Sequence, residues 1–123
     1  MTVTRENKLD NFDRIALGIK GEKMAQKYLK QRKYKILDTN YRCSIGEIDI
    51  VAKKGDYIVF VEVKARKTAK FGLPCEAVDE RKQHKLQTLA MYYLRTKRLL
   101  DMPVSFAVVE VLGDEIRLIE DAF

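Results

Sequence analysis

The alternation of apolar and polar residues along the chain predicts two helices and five strands. Apolar residues recur at helical spacing over 11–33, where Asn11 or Asp13 can serve as the N-cap. The same spacing over 79–98 predicts a second helix, capped by Asp79. Strand-like runs bounded by turn residues occupy 34–42, 46–65 as a hairpin, 103–112 and 115–120. The order α-β-β-β-α-β-β predicts an α/β fold, a mixed central β-sheet flanked by helices, in a single domain over 1–123.

The hairpin pattern also predicts which residues face each other across its two strands. A two-residue turn at Gly55 and Asp56 suits a primed hairpin turn and sets cross-strand partners whose numbers sum to 111. One face is then uniformly apolar, with the pairs Ala52–Val59, Ile50–Val61 and Ile48–Val63. The other face carries Val51–Phe60, Asp49–Glu62 and Glu47–Lys64. A shift of one residue would mix the two sets, so burial of one face selects this register.

The charged pairs on the second face suggest chemistry. Directly opposed side chains have Cβ atoms about 5 Å apart, so the carboxylates of Asp49 and Glu62 would repel each other unless a raised pKa or a cation relieves them. Mg²⁺ accepts one or two carboxylates together with waters and phosphate oxygens. With Lys64 on the same face, the set suits phosphodiester cleavage, in which a metal polarises the phosphate and activates water. The alternative is an exposed face with a Glu47–Lys64 ion pair and solvated acids.

Helix 11–33 contains an acid and two glycines at positions that need an explanation. Gly18, Glu22, Ala25 and Leu29 share one stripe of the helix. Glu22 therefore lies among small and apolar residues, although a lone helix glutamate is commonly just solvated. Interior glycines such as Gly18 and Gly21 cost about 1 kcal/mol each. Close approach of the helix backbone to a sheet or to a ligand would explain them.

Charge is distributed unevenly along the 123 residues. The net charge is +6, yet residues 1–98 hold 23 of the 24 Lys and Arg residues and only 12 of the 18 Asp and Glu residues. Such segregation favours a basic face that meets a polyanion, with nucleic acid as the expected partner. The alternative is an ordinary domain with a lysine-rich surface.

Composition excludes several classes of protein. The single histidine, His84, excludes most zinc-hydrolase, two-histidine nuclease and Ser-His-Asp schemes. Cys43 and Cys75 are far apart and suggest neither a disulfide framework nor a zinc knuckle. No stretch approaches the roughly 18 apolar residues of a membrane span. We therefore expect a soluble cytoplasmic protein with no membrane partner, whose chemistry relies on carboxylates and lysine.

The spacing D-x12-E-x-K, formed by Asp49, Glu62 and Lys64, resembles the PD-(D/E)xK restriction-endonuclease-like nucleases, which have an α-β-β-β-α-β core. A wider set of motifs is more specific: "GEKMAQKYLKQRKYKILDTNYR", "GEIDIVAK", "VFVEVKAR", "KQHKL" and "IEDAF". Together they are similar to the YraN-like bacterial family of small uncharacterised proteins over nearly the whole chain. That family is related in its fold to archaeal Holliday junction resolvases.

The resemblance implies roles for individual residues. Asp49 and Glu62 would bind Mg²⁺ or Mn²⁺, Lys64 would be the catalytic lysine, Glu22 the helix acid of the site, and Glu47 a supporting residue. The candidate nucleic-acid-binding residues are basic: Arg42, Arg66, Lys67, Lys70, Lys82 and Lys85.

One position departs from the family pattern. Where relatives tend to begin a strand with an Arg-Phe-Asp-like sequence, this chain has Ser105, Phe106 and Ala107. The difference removes a supporting charge pair but leaves Asp49, Glu62 and Lys64 intact.

Three functions are consistent with these patterns. The first is a metal-dependent endonuclease that acts on DNA, branched DNA included, by phosphodiester hydrolysis. The second is a non-catalytic nucleic-acid-binding module or adaptor in DNA repair, recombination or uptake, because fold does not guarantee activity. The third is an interaction protein without a nucleic-acid role. Resolvase-like relatives also raise homodimerisation, although nothing in the sequence identifies a dimer surface.

Overall fold

Two helices and five strands follow one another in the predicted order. The computed structural model describes residues 5–66 and 78–123, and side chains from residue 14 onward within those ranges. The elements are α1 (Arg5–Gln31), β1 (Lys35–Cys43), β2 (Gly46–Lys54), β3 (Tyr57–Arg66), α2 (Glu80–Thr96), β4 (Val104–Leu112) and β5 (Glu115–Ile119). The strand boundaries lie within one residue of those predicted from sequence.

The five strands form one mixed sheet in the order β1-β2-β3-β4-β5. Only β3 and β4 are parallel, and the other neighbours are antiparallel. Parallel neighbours need a long crossover, and α2 lies within the segment that provides it. The strongly apolar β4 pairs with β3 on one side and β5 on the other, so it is an interior strand.

The helix ends show where local sequence signals succeed and fail. Asp79 caps α2 as predicted, because its Oδ1 accepts the backbone N–H of Lys82 at 2.9 Å. In contrast, α1 already begins at Arg5, so the prediction that Asn11 or Asp13 caps it is wrong. Neither residue breaks a helix, and helix propensity is only a weak prior. Among the described residues, neither helix is both long and apolar enough to cross a bilayer.

The sheet separates two apolar cores, one under each helix. On the α1 side, Ala25 and Leu29 are fully buried against Ile50, Val61 and Val109. On the α2 side, the core contains Leu86, Leu89, Tyr93, Val51, Phe60 and Val108. The two faces of the sheet are thus both covered, as its apolar strands require.

The hairpin register is the one predicted, but only up to Ile50. The pairs run from Lys54–Tyr57 to Ile50–Val61, and Gly55 has the positive φ of 58° that a primed turn requires. Beyond Ile50 the predicted facing arrangement is wrong. Ile48 packs in the α2-side core instead of facing Val63 in the other.

Glu47 is also placed differently from the prediction. It pairs with Arg42 of β1, with Nε and Oε2 3.3 Å apart, rather than with Lys64. The physical reason is that β2 pairs with β3 only from Ile50 onward. The N-terminal part of β2 pairs with β1 alone. Strict alternation of side chains across β2 and β3 cannot be extrapolated past that point.

Ser105, Phe106 and Ala107, which depart from the family pattern, fit the fold without a charged side chain at position 107. Ala107 is buried in the α1-side core. Ser105 Oγ lies 2.8 Å from Asp121 Oδ1 and donates a hydrogen bond to it. A charged side chain at position 107 would need a buried partner, so alanine fits this core without one.

Candidate carboxylate and lysine site

A cleft of about 410 Å³ lies between α1 and the end of β3, beside the point where β2 and β3 stop pairing. We call it the α1–β3 cleft. Its walls are formed by Arg14, Leu17, Gly18 and Glu22 of α1, Asp49 of β2, and Glu62, Val63, Lys64, Ala65 and Arg66 of β3. The tertiary structure therefore brings four of the predicted site residues, Glu22, Asp49, Glu62 and Lys64, into one cavity.

Asp49 lies next to Ile50, where the pairing of β2 with β3 ends. Its Oδ2 accepts the backbone N–H of Val63 at 2.8 Å, so the carboxylate takes up a donor just beyond the last paired residues of β2 and β3. Burial, followed by repulsion from Glu62, raises the pKa of Asp49 to about 7. Glu22 and Glu47 raise the pKa further, whereas the bond from Val63 opposes the shift. The folded chain thus holds an acid that resists ionisation near neutral pH.

Asp49 lies in a group of three carboxylates, whereas the hairpin pattern predicts a pair with Glu62. Oxygen atoms of Glu22, Glu47 and Asp49 all lie within 4.8 Å of one another. The Asn40 amide, oriented so that it donates, bridges two of them at 3.2 Å to Glu22 Oε1 and 2.8 Å to Glu47 Oε1. Carboxylate oxygens are the ligands that hard divalent ions prefer, so the three acids fit Mg²⁺ or Mn²⁺.

Sequence reasoning missed Asn40. It lies within β1 with a positive φ of 52°, a conformation that asparagine tolerates better than most residues. An asparagine inside a strand is unusual. That composition is the signal that could have drawn attention to it.

Glu62 is not one of these three acids and pairs instead with two ammonium groups. It is one of two buried acids among the described residues, and its Oε1 accepts a hydrogen bond from Lys82 Nζ at 2.9 Å. Lys64 Nζ lies 3.6 Å from the same oxygen. Burial, followed by the neighbouring Lys82, lowers the pKa of the Lys64 ammonium. Lys82, which the sequence predicts to bind nucleic acid, is therefore paired with a proposed metal ligand.

The remaining basic candidates are spread over several surfaces. Arg66 lines the α1–β3 cleft, while Arg42 is exposed and pairs with Glu47. Lys85 packs over Gly46 near Leu89 and does not line the cleft. Lys67 and Lys70 lie outside the described residues, as does Cys75.

The raised pKa of Asp49 predicts a stability that depends on pH. In the unfolded chain Asp49 loses its proton near pH 3.8, but in the folded protein it keeps it to about pH 7. Between these values the folded state binds more protons, so without divalent metal the free energy of unfolding should fall as pH rises and level off above about pH 7. Urea titrations in EDTA at about pH 5 and about pH 8 measure this fall. The fall should be smaller in Asp49→Asn, and an equal fall in both proteins would contradict the expectation.

The fold and the site together define a mixed α/β domain with a restriction-endonuclease-like core, whose cleft is lined by carboxylates and a lysine. The profile of the "Uncharacterised protein family UPF0102" matches residues 21–111, and the chain belongs to this family. The family resemblance drawn from the motifs is thereby confirmed.

The relatives are similar along most of their length. The chain is 50% identical over 113 residues to a UPF0102 protein of Syntrophus aciditrophicus, covering 89% of each chain. It is 47% identical over 109 residues to a UPF0102 protein of Clostridium acetobutylicum, covering 84% of this chain and 89% of the relative. A Clostridioides difficile UPF0102 protein is 49% identical over 105 residues, covering 84% and 92%. These names assign no function, so function has to be argued from the site.

Proposed function

We propose that this protein is a metal-dependent endonuclease that hydrolyses phosphodiester bonds in DNA, branched DNA included. The observation that carries the proposal is the convergence of Glu22, Asp49, Glu62 and Lys64 in one cleft. Burial, followed by repulsion from the neighbouring acid Glu62, opposes the ionisation of Asp49. A fold gains nothing from unrelieved repulsion between acids, so the cluster is better explained by a cation that relieves it.

The proposed ligands of Mg²⁺ or Mn²⁺ are Asp49 and Glu62, with Glu22 and Glu47 beside Asp49. When bound, the ion polarises the phosphate and lowers the pKa of a coordinated water. Glu62 can join such a site by exchanging its Lys82 partner for the metal. Lys64, whose pKa is lowered, is positioned to orient the attacking water or to stabilise the charge that develops on the phosphate.

The substrate expectations follow from the same chemistry. Such an enzyme would act on DNA in the cytoplasm, and the phosphate contacts would come from the basic residues around the cleft. Two cuts on one branched molecule would require two active sites. We therefore expect a homodimer if a branched DNA is the substrate.

One observation favours a second candidate, a nucleic-acid-binding module that does not cut. Glu62 has two lysine partners, Lys64 and Lys82. An acid neutralised in this way needs no divalent ion. The same basic residues would then bind the phosphate backbone without catalysis, and the affinity would fall steeply with salt.

A cleavage assay separates the two candidates. Wild type and Lys64→Ala are incubated with labelled single-stranded, duplex, flap and four-way-junction DNA and with RNA, in Mg²⁺, Mn²⁺ or EDTA. Wild type should cut at least one DNA in metal but not in EDTA, and Lys64→Ala should lose about 100-fold or more in rate.

Lys53→Ala is the matched control, because it removes a lysine near the opposite end of the same hairpin. Its rate should equal that of wild type. Salt-sensitive binding that EDTA leaves unchanged, with no cutting of any substrate, would reject the nuclease and favour the binding module.

A further inference from the structure

The two interior glycines of α1 have different surroundings. A Cβ on Gly21 would lie 2.7 Å from the Cβ of Ala65, so this glycine allows the helix to approach β3. Around Gly18, by contrast, the described residues place no heavy atom within 4 Å of where a Cβ would lie, apart from its chain neighbours and the adjacent backbone of α1. Gly18 is exposed and forms part of the cleft wall. Packing therefore explains Gly21 but not Gly18, although both weaken the helix.

Gly18 lies between a basic residue and an acidic residue of the same helix stripe. Arg14, Gly18 and Glu22 are spaced by four residues, which places them on one face at steps of about 6 Å along the axis. All three line the α1–β3 cleft. The step is comparable with the spacing of neighbouring phosphates in a nucleic-acid strand.

The α1–β3 cleft is lined by charges of both signs. Glu22, Asp49 and Glu62 are acidic, whereas Arg14 of α1 and Arg66, the last residue of β3, are basic. An extended polyanion is repelled by the acids unless metal is bound and is attracted by the arginines. A strand in this cleft would thus be held most strongly beside the acid cluster rather than over it.

We propose that the part of the α1–β3 cleft formed by Gly18, Arg14 and Arg66 binds the phosphodiester next to the one that is cleaved. This proposal rests on the proposed function and adds the path of the substrate to it. Arg14 and Arg66 provide the positive charge, and the missing side chain at Gly18 leaves room for the sugar-phosphate backbone to lie against the helix. Held there, the strand presents its next phosphate to Asp49, Glu62 and Lys64.

The test fills the space at Gly18 without disturbing the fold. Gly18→Leu adds bulk where the described structure has open space, and leucine is a better helix former, so the thermal midpoint should equal or exceed that of wild type. The variant should lose at least about tenfold in kcat/KM and in affinity for a fluorescein-labelled DNA oligonucleotide. Ala16→Leu is the matched control, because Ala16 is exposed on α1 and does not line the cleft. It should behave as wild type.

A second variant keeps the proposal testable if Gly18→Leu fails to fold. Arg14→Gln should weaken oligonucleotide binding, measured by fluorescence anisotropy in EDTA. It should also reduce the slope of log affinity against log salt by about 0.7 to 0.9, the loss of one phosphate contact. An unchanged slope would overturn the proposal, as would a folded Gly18→Leu that binds and cuts like wild type.

Failure of the nuclease proposal gives a different result. If wild type binds the oligonucleotide without cutting and Gly18→Leu loses that binding, the cleft stands as a phosphate-binding site, and catalysis next to it is rejected. If wild type neither binds nor cuts, the proposed function and this subsite are rejected together.

Discussion

Asp49→Asn and Glu62→Gln are expected to abolish metal-dependent cleavage alike while changing the free energy of unfolding in opposite directions. Each substitution removes a proposed metal ligand, which should cost about 1000-fold or more in rate, or ~4 kcal/mol of transition-state stabilisation. The effect on the fold differs because the two carboxylates have opposite electrostatic surroundings. Asp49 lies among acids, whereas Glu62 is paired with lysines.

Above pH 7 and without metal, Asp49→Asn should stabilise the protein. The amide oxygen can still accept the Val63 N–H. The neutral amide also removes the buried charge and the repulsion from Glu62, which together raise the Asp49 pKa from 3.8 to about 7. A shift of that size corresponds to at most about 4 kcal/mol, and partial solvation reduces the expected gain to about 2 kcal/mol. Glu62→Gln should lose about 2 kcal/mol, because it leaves Lys82 and Lys64 without their carboxylate.

Urea unfolding at pH 8 in EDTA measures both effects. Asp56→Asn is the matched control, since it makes the same chemical change on the same hairpin, at the exposed turn, where asparagine is equally suitable. Its stability and its cleavage rate should match wild type. A loss of stability in Asp49→Asn would mean that the acid cluster supports the fold, and full cleavage by either site variant would remove that residue from the active site.

Gly21→Leu is expected to detach α1 from the sheet. A Cβ at position 21 would lie 2.7 Å from the Cβ of Ala65, which is too close for two carbon atoms. The Ala65 Cβ is attached directly to the backbone of β3, so it cannot move aside without moving the strand. Overpacking of this kind should cost about 3 kcal/mol despite the better helix propensity of leucine. Because Glu22 is the next residue, cleavage should fall with stability.

A compensating pair makes this prediction specific to the contact. Gly21→Ala should destabilise the protein less than leucine does, and adding Ala65→Gly should restore most of the loss by removing the opposing Cβ. Chemical denaturation of the two single variants and the double variant gives the coupling energy. Independent, additive effects would show that the helix and β3 do not meet at these residues.

Much of the fold could be predicted because it depends on patterns that are local in sequence. Alternation over the hairpin and the turn at Gly55 were sufficient for the register from Lys54–Tyr57 to Ile50–Val61. The Asp79 cap followed from the residue type before an apolar helical run. The start of α1 could not be predicted in this way, because the residue types that cap helices also occur within helices.

The sequence predicted which residues form the candidate site but not how they are arranged. Spacing and resemblance singled out Glu22, Asp49, Glu62 and Lys64, and all four line the same cleft. Their mutual arrangement differs from the hairpin prediction, because the N-terminal part of β2 pairs with β1 and not with β3. Side chains alternate between the two faces of a hairpin only where its strands remain paired. The alternation therefore could not predict that Glu47 lies beside Glu22 and Asp49.

By itself, the sequence determined the elements, their order, the hairpin register and the residue types available for chemistry, since these depend on the periodicity and conformational preferences of neighbouring residues. Only the tertiary structure decided that Lys82 of α2 pairs with Glu62 of β3 and that Asn40 of β1 bridges two acids. It also decided that Gly21 meets Ala65 while Gly18 lines an open cleft. These relations join residues far apart in the chain, and they arise from how the helices dock on the sheet, which no local preference specifies.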